Sequence, residues 1–136
     1  LGTIRAARQV EGIAVNVIIR PRGGDFLYDD DEVAVMKTDI EAARAEGVDG
    51  VVIGLLNADG TIDEARTAEL IALARPLSVT FHRAFDMTPD PFAALETLIG
   101  LGVDRVLTSG QEPSVLEGLP LLAQLVERAG DRIIVM

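Results

Sequence analysis

Gly47-Val48-Asp49-Gly50-Val51-Val52 recurs as Gly102-Val103-Asp104-Arg105-Val106-Leu107, and Gly130-Asp131-Arg132-Ile133 is a shortened third copy. Each copy closes a helical stretch with glycine and leads into an apolar run rich in Val and Ile. Strand-like runs begin near positions 50, 77, 104 and 132. One unit is therefore roughly 27 or 28 residues, the length of a strand, a helix and two short loops. Such a repeat constrains the chain to parallel strands joined by right-handed helical crossovers.

Five runs qualify as strands: Ile13 to Ile19, Gly50 to Gly54, Leu77 to His82, Arg105 to Thr108 and Arg132 to Met136. The spacing predicts helices between them. The first covers about 30–46, where Val33, Met36, Ile40 and Ala43 fall three to four apart on one face. Asp29, Asp30, Asp31 and Glu32 crowd its N-terminus, where carboxylates meet the positive end of the helix dipole; that explains the run more simply than a cation site. The second covers about 63–74. The third takes Thr88 as N-cap and Pro89 as first helical residue and stops at Gly102. The fourth covers roughly 120–129, with an earlier turn near Ser114, and residues 1–9 read as the tail of another helix.

Two α/β folds accommodate these units: an incomplete TIM (β/α)8 barrel and a flavodoxin-like doubly wound sheet. The length of 136 residues suits the second, since a closed barrel usually takes about 250. Strand polarity favours the barrel. Asn16 and Arg20 share one face of the first strand, and Thr80 and His82 share one face of the third. Polar residues on one face suit a barrel interior near its mouth better than a strand covered by helices on both sides.

Chemistry-bearing residues gather at the strand ends. Val79-Thr80-Phe81-His82-Arg83-Ala84-Phe85-Asp86 ends an apolar run in the only histidine, an arginine and an aspartate. A lone histidine there is often a hydrogen-bonded core residue. The carboxyl end of a barrel strand shifts the balance toward a catalytic role for His82, with Arg83 and Asp86 orienting the imidazole or contacting a ligand. Ile18-Ile19-Arg20-Pro21-Arg22-Gly23-Gly24-Asp25-Phe26 ends the first strand in a second cluster. Arg20, Arg22 and Asp25 are ligand-binding candidates, because an arginine fork holds carboxylate or phosphate bidentately. The rival reading is a glycine turn with solvated charges. Thr108-Ser109-Gly110 ends the fourth strand with hydroxyls and backbone N–H groups that can cradle an anion. Asn57-Ala58-Asp59-Gly60 reads as a turn.

Composition narrows the partners. The net charge of −10 argues against nucleic acid and against an anionic membrane surface. No apolar run approaches the ~20 residues of a membrane span. Cysteine is absent, so this chain can form neither a disulfide nor a thiolate metal site. A cytoplasmic location is the default for such a composition.

Pro21-Arg22-Gly23-Gly24-Asp25-Phe26, Asp49-Gly50-Val51-Val52-Ile53-Gly54, Thr80-Phe81-His82-Arg83-Ala84-Phe85-Asp86 and Arg105-Val106-Leu107-Thr108-Ser109-Gly110, in that order, resemble the CutC copper-homeostasis family. The match covers nearly the whole chain. The resemblance implies a TIM barrel, a cytoplasmic location and a homo-oligomer. It also implies that residues 1–136 form a single partial domain covering the third to seventh βα units, a fragment with strands missing at both ends.

Two functions follow as expectations. One is the family's role in copper homeostasis, with copper as the bound ion. Cu(I) prefers thiolate and thioether ligands; Met36, Met87 and Met136 are scattered, so the metal ligands stay unassigned. The other is an enzyme acting on a small phosphorylated or carboxylated metabolite, with His82 as acid or base and arginines as the anion clamp.

Overall fold

The computed structural model describes residues 1–136. Its elements are α1 (Gly2–Arg8), β1 (Asn16–Ile18), α2 (Asp30–Ala45), β2 (Gly50–Ile53), α3 (Glu64–Ala74), β3 (Ser78–Phe81), a 3₁₀ turn (Arg83–Met87), α4 (Pro91–Leu101), β4 (Arg105–Val106), α5 (Val115–Ala129) and β5 (Ile134–Val135). The five strands are parallel and lie in the order β1-β2-β3-β4-β5. Each crossover steps to the next position in the same direction, so crossovers of one hand place every helix on one face.

Burial agrees with a one-sided sheet. Val51, Ile53, Val79, Phe81 and Val106 are buried, whereas Ile18, Leu107 and Ile134 on the opposite face stay exposed. This is the wall of a (β/α)8 barrel. The flavodoxin-like alternative is not formed, because it needs a reversal of strand order and helices on both faces. Asn16, Ser78 and Arg105 meet on the inner face at its lower end, where Arg105 Nη1 donates to Ser78 Oγ at 3.0 Å.

The repeat has a physical basis. Gly47 and Gly102 take positive φ (71° and 78°) just after a helix, which glycine does without steric cost. Val48 and Val103 are buried. The following aspartate clamps the neighbouring strand. Asp49 Oδ2 accepts from Val15 N at 2.7 Å and from Arg8 at 3.0 Å. Asp104 Oδ2 accepts from Val79 N at 2.7 Å and from Arg75 at 2.8 Å. The two copies therefore do the same task, setting the start of one strand against the next.

Helix α2 forms as its pattern predicts: Val33, Met36, Ile40 and Ala43 are its buried residues, and Asp29 with Glu32 makes a capping box. Within the acidic run Asp29 and Glu32 make this cap, Glu32 also pairs with Arg22, and Asp30 pairs with Arg66 at 2.5 Å. Two helix starts differ from expectation. Helix α4 begins at Pro91 under an Asp90 cap that accepts from Phe92 N and Ala93 N at 2.9 and 3.1 Å, instead of at Pro89 under Thr88. Thr88 Oγ1 donates backwards to Phe85 O at 2.7 Å and ends the 3₁₀ turn. Helix α5 begins at Val115, not near Pro120, because Ser114 and Glu117 form a capping box ahead of the proline.

Candidate functional site

Parallel strands bring the loops 19–29, 54–63, 82–90 and 107–114 to one edge of the sheet, the barrel mouth. Two polar clusters form there, and they differ in how completely their groups are paired.

The first cluster joins the loops after β1, β2 and β3. His82 is buried and continues the strand ladder by donating its N–H to Ile53 O at 2.8 Å. Its ring lies against Gly54, where any Cβ would overlap the imidazole. Phe26 covers it with ring centroids 5.0 Å apart. Nδ1 accepts from Ala84 N at 3.1 Å. That bond assigns the ring proton to Nε2, and Nε2 is buried with no partner. Burial, reinforced by the positive charge of Arg20, lowers the imidazole pKa to about 4. His82 is therefore a neutral donor at pH 7.

Arg20 is exposed and lightly engaged. It donates to Gly24 O at 2.7 Å and lies over the Phe26 ring, 4.8 Å from its centroid. On its other side is Tyr28, only 3% exposed, whose hydroxyl also lacks a hydrogen bond. Burial raises the Tyr28 pKa and the nearby Arg20 guanidinium moderates the rise, although the pair does not reach hydrogen-bond geometry. An exposed guanidinium thus neighbours two buried, unpartnered donors. An unpaired buried donor costs about 1–3 kcal/mol, a cost an incoming acceptor removes.

The second cluster joins the loops after β3 and β4, and it is closed. The Asp86 side chain is 7% exposed and pairs with Arg83 Nε at 2.8 Å. It also accepts from the Thr108 hydroxyl, from Ser109 N and Oγ (each at 3.1 Å) and from Gln111 N at 3.2 Å. Burial works to raise the Asp86 pKa, but the bonds from Thr108, Arg83, Ser109 and Gln111 outweigh it and hold the carboxyl below its usual value. The cradle read in Thr108-Ser109-Gly110 exists, and the anion in it is the chain's own Asp86. Gly110 N donates to Thr108 Oγ1 at 2.9 Å, while Gly110 packs against Gly118 too closely for any Cβ. Gln111 holds a left-handed conformation (φ 60°), which a non-glycine residue adopts at a cost. Its amide donates to Thr88 O at 2.7 Å.

Arg22 and Asp25 fold their own loop. Arg22 pairs with Glu32, donates to Asp25 Oδ1 at 2.9 Å and Leu27 O at 2.7 Å, and lies over the Tyr28 ring. Its donors are committed, unlike those of Arg20. The structure therefore brings His82 together with Arg20, and Asp86 with Arg83, Thr108 and Ser109, as separate groups. Tyr28, Phe26, Gly54 and Gln111 were not singled out by sequence reasoning. Only Gly54 carried a signal, a glycine at the carboxyl end of a strand.

Copper fits this donor set poorly. No three His, Cys, Asp or Glu side chains are arranged to hold a metal ion. His82 Nε2 is the one buried nitrogen without a partner among the histidine and arginine side chains, and the charge on Arg20 beside it opposes a cation. The thioethers at this end of the sheet, Met87 on the 3₁₀ turn and Met136 after β5, are 66% and 57% exposed.

Comparison with known proteins gives one consistent family. The model of the CutC family matches residues 1–136. A "family protein CutC" of Mesorhizobium japonicum is 60% identical over 100% of this chain and 53% of its own length. The "Copper homeostasis protein cutC homolog" of Mus musculus is 58% identical over 100% of this chain and 50% of its own. The chain thus spans about half the length of these relatives. A crystal structure of the putative copper homeostasis protein CutC from Streptococcus agalactiae superposes with a TM-score of 0.95 at 36% identity, covering 99% of this chain and 68% of that one. No helix here is long and apolar enough to cross a membrane.

Proposed function

The chain belongs to the CutC family, and from that premise we propose that it serves a CutC-like role in copper homeostasis by binding a small anionic metabolite at the barrel mouth. The relatives' names support the role. The mouth's donors support the ligand. Arg20 supplies the charge and the forked donors that suit carboxylate or phosphate. His82 Nε2–H and the Tyr28 hydroxyl supply neutral donors on either side.

The observation that carries this reading is the buried, unpartnered Nε2–H of His82 in the field of Arg20. A cation there would meet a proton and a guanidinium; an oxyanion would satisfy both. Copper enters this account through the family's role and not as a ligand of this mouth, which has one imidazole and no thiolate.

Chemistry on the bound anion is a second reading, favoured by the depressed pKa of His82. A neutral, desolvated imidazole donates to charge developing on a substrate oxygen at no reorganisation cost. Arg83 and Asp86 then act by holding the adjoining loops and leave the donation to His82.

Calorimetric titration with inorganic phosphate and with acetate tests the proposal. Binding by at least one anion, lost in Arg20→Ala, is expected. Indifference to both, together with stoichiometric Cu(I) uptake lost in His82→Ala, would replace it with a copper site.

A further inference from the structure

Phe26 has two sets of neighbours. The ring meets both His82 and the Arg20 guanidinium. The ring also lines a cleft of about 560 Å³, together with Leu27, Leu56, Ala58, Met87 and Asp25. That volume lies within the roughly 300–1,000 Å³ of small-molecule sites. The loops that build it follow β1, β2 and β3, the same three that build the first cluster, and Leu56 N donates to Phe26 O at 2.9 Å to fix them together. Gly24, whose carbonyl accepts from Arg20, also lines the cleft.

Resting on the anion reading above, we propose that the ligand is amphipathic: a single anionic head between Arg20 and His82, and an uncharged apolar body lying over Phe26 into this cleft. Two observations restrict the body. Leu27 and Met87 stay 46% and 66% exposed, so apolar surface is available that nothing in the chain covers. Asp25, the one charged residue lining the cleft, pairs with Arg22 yet keeps its carboxylate largely exposed, which opposes a second anionic group on the body. A dianionic metabolite with charges at both ends is thereby disfavoured against one with a hydrocarbon or aromatic body.

Paired probes on the native protein separate the head from the body: inorganic phosphate against phenyl phosphate, and acetate against hexanoate. The expected result is that the member with the apolar body binds at least about tenfold tighter. A Leu27→Gln/Met87→Gln double variant, altering two exposed side chains, should erase that advantage and leave the affinity for the small anion in place. Arg20→Ala should abolish binding of both members. Equal affinity for phosphate and phenyl phosphate, and for acetate and hexanoate, overturns the apolar body while the anion site stands. Failure of all four probes overturns the anion site, and this inference with it.

Discussion

The two clusters at the mouth use the same residue types and reach opposite states. Around Asp86, a carboxylate, an arginine, two hydroxyls and two backbone N–H groups pair with one another. Around Arg20, the imidazole N–H and a phenol stay buried with no partner. Native proteins pair nearly all buried polar groups, so exceptions need a cause. The closed cluster is a fastening that holds the loop after β4 against the 3₁₀ turn. The open cluster leaves its donors unpaired, and in the function proposed above an anion is what pairs them. Polarity at a strand end therefore does not by itself mark a site, and neither does one unpaired atom, since the Thr67 hydroxyl on α3 is also buried without a partner; the mouth differs in gathering two such groups near an exposed arginine.

Removing the closed cluster's hub should give the largest effect on stability. Asp86→Ala strands Ser109 N and Gln111 N, removes the ion pair of Arg83 and takes away the backbone anchor of the left-handed Gln111. A loss of about 3–5 kcal/mol is expected in chemical denaturation. A loss below about 1 kcal/mol would mean that the network is ornamental and that the contrast drawn here fails.

The open cluster should respond to acid. The folded pKa of His82 is about 4, below its ordinary 6.5. Between those values the unfolded chain binds a proton that the folded chain refuses. Stability should therefore rise with pH through this window and level off above it, by roughly 3 kcal/mol in all. Asp86 acts in the same direction at lower pH: its pKa is held down, so its contribution is lost as the carboxylate protonates. His82→Gln separates the two by flattening only the upper part of the profile. An unchanged slope in that variant would exclude His82 as its source.

Gly54→Ala sharpens the comparison further. The added methyl overlaps the His82 ring, so a cost of about 1–3 kcal/mol is expected, along with loss of phosphate binding. Full binding in this variant would show that the ring position is irrelevant to the site. The smallest stability effect belongs to Arg20→Ala. Its side chain is exposed with one bond to Gly24 O, so thermal denaturation should move by no more than about 0.5 kcal/mol while anion binding disappears.

Much of the scaffold was legible because periodicity and caps are local. The four buried positions of α2, the Gly-Val-Asp repeat and the placement of His82 at a strand end all follow from short-range pattern. Thr88-Pro89-Asp90-Pro91 offers two successive cap–proline signatures. The second won because the Asp90 carboxylate reaches two backbone N–H groups while the Thr88 hydroxyl turns back to Phe85. Pro120 likewise drew attention from the Ser114–Glu117 box that starts α5. The site was less legible, since its meaning lies in pairing across loops. Thr108-Ser109-Gly110 reads as an anion cradle, but no sequence spacing says that the Thr108 and Ser109 donors go to Asp86 and the Gly110 N–H to Thr108. Tyr28 lies between a glycine loop and a helix cap, and nothing local reveals that its hydroxyl ends up buried beside Arg20.

The most direct test is an NMR titration of the His82 imidazole with and without inorganic phosphate. The expected result is a pKa near 4 in the free protein and an upward shift when phosphate binds, because an anion favours the imidazolium. A free-protein pKa close to the ordinary 6.5 that phosphate leaves unmoved would contradict it.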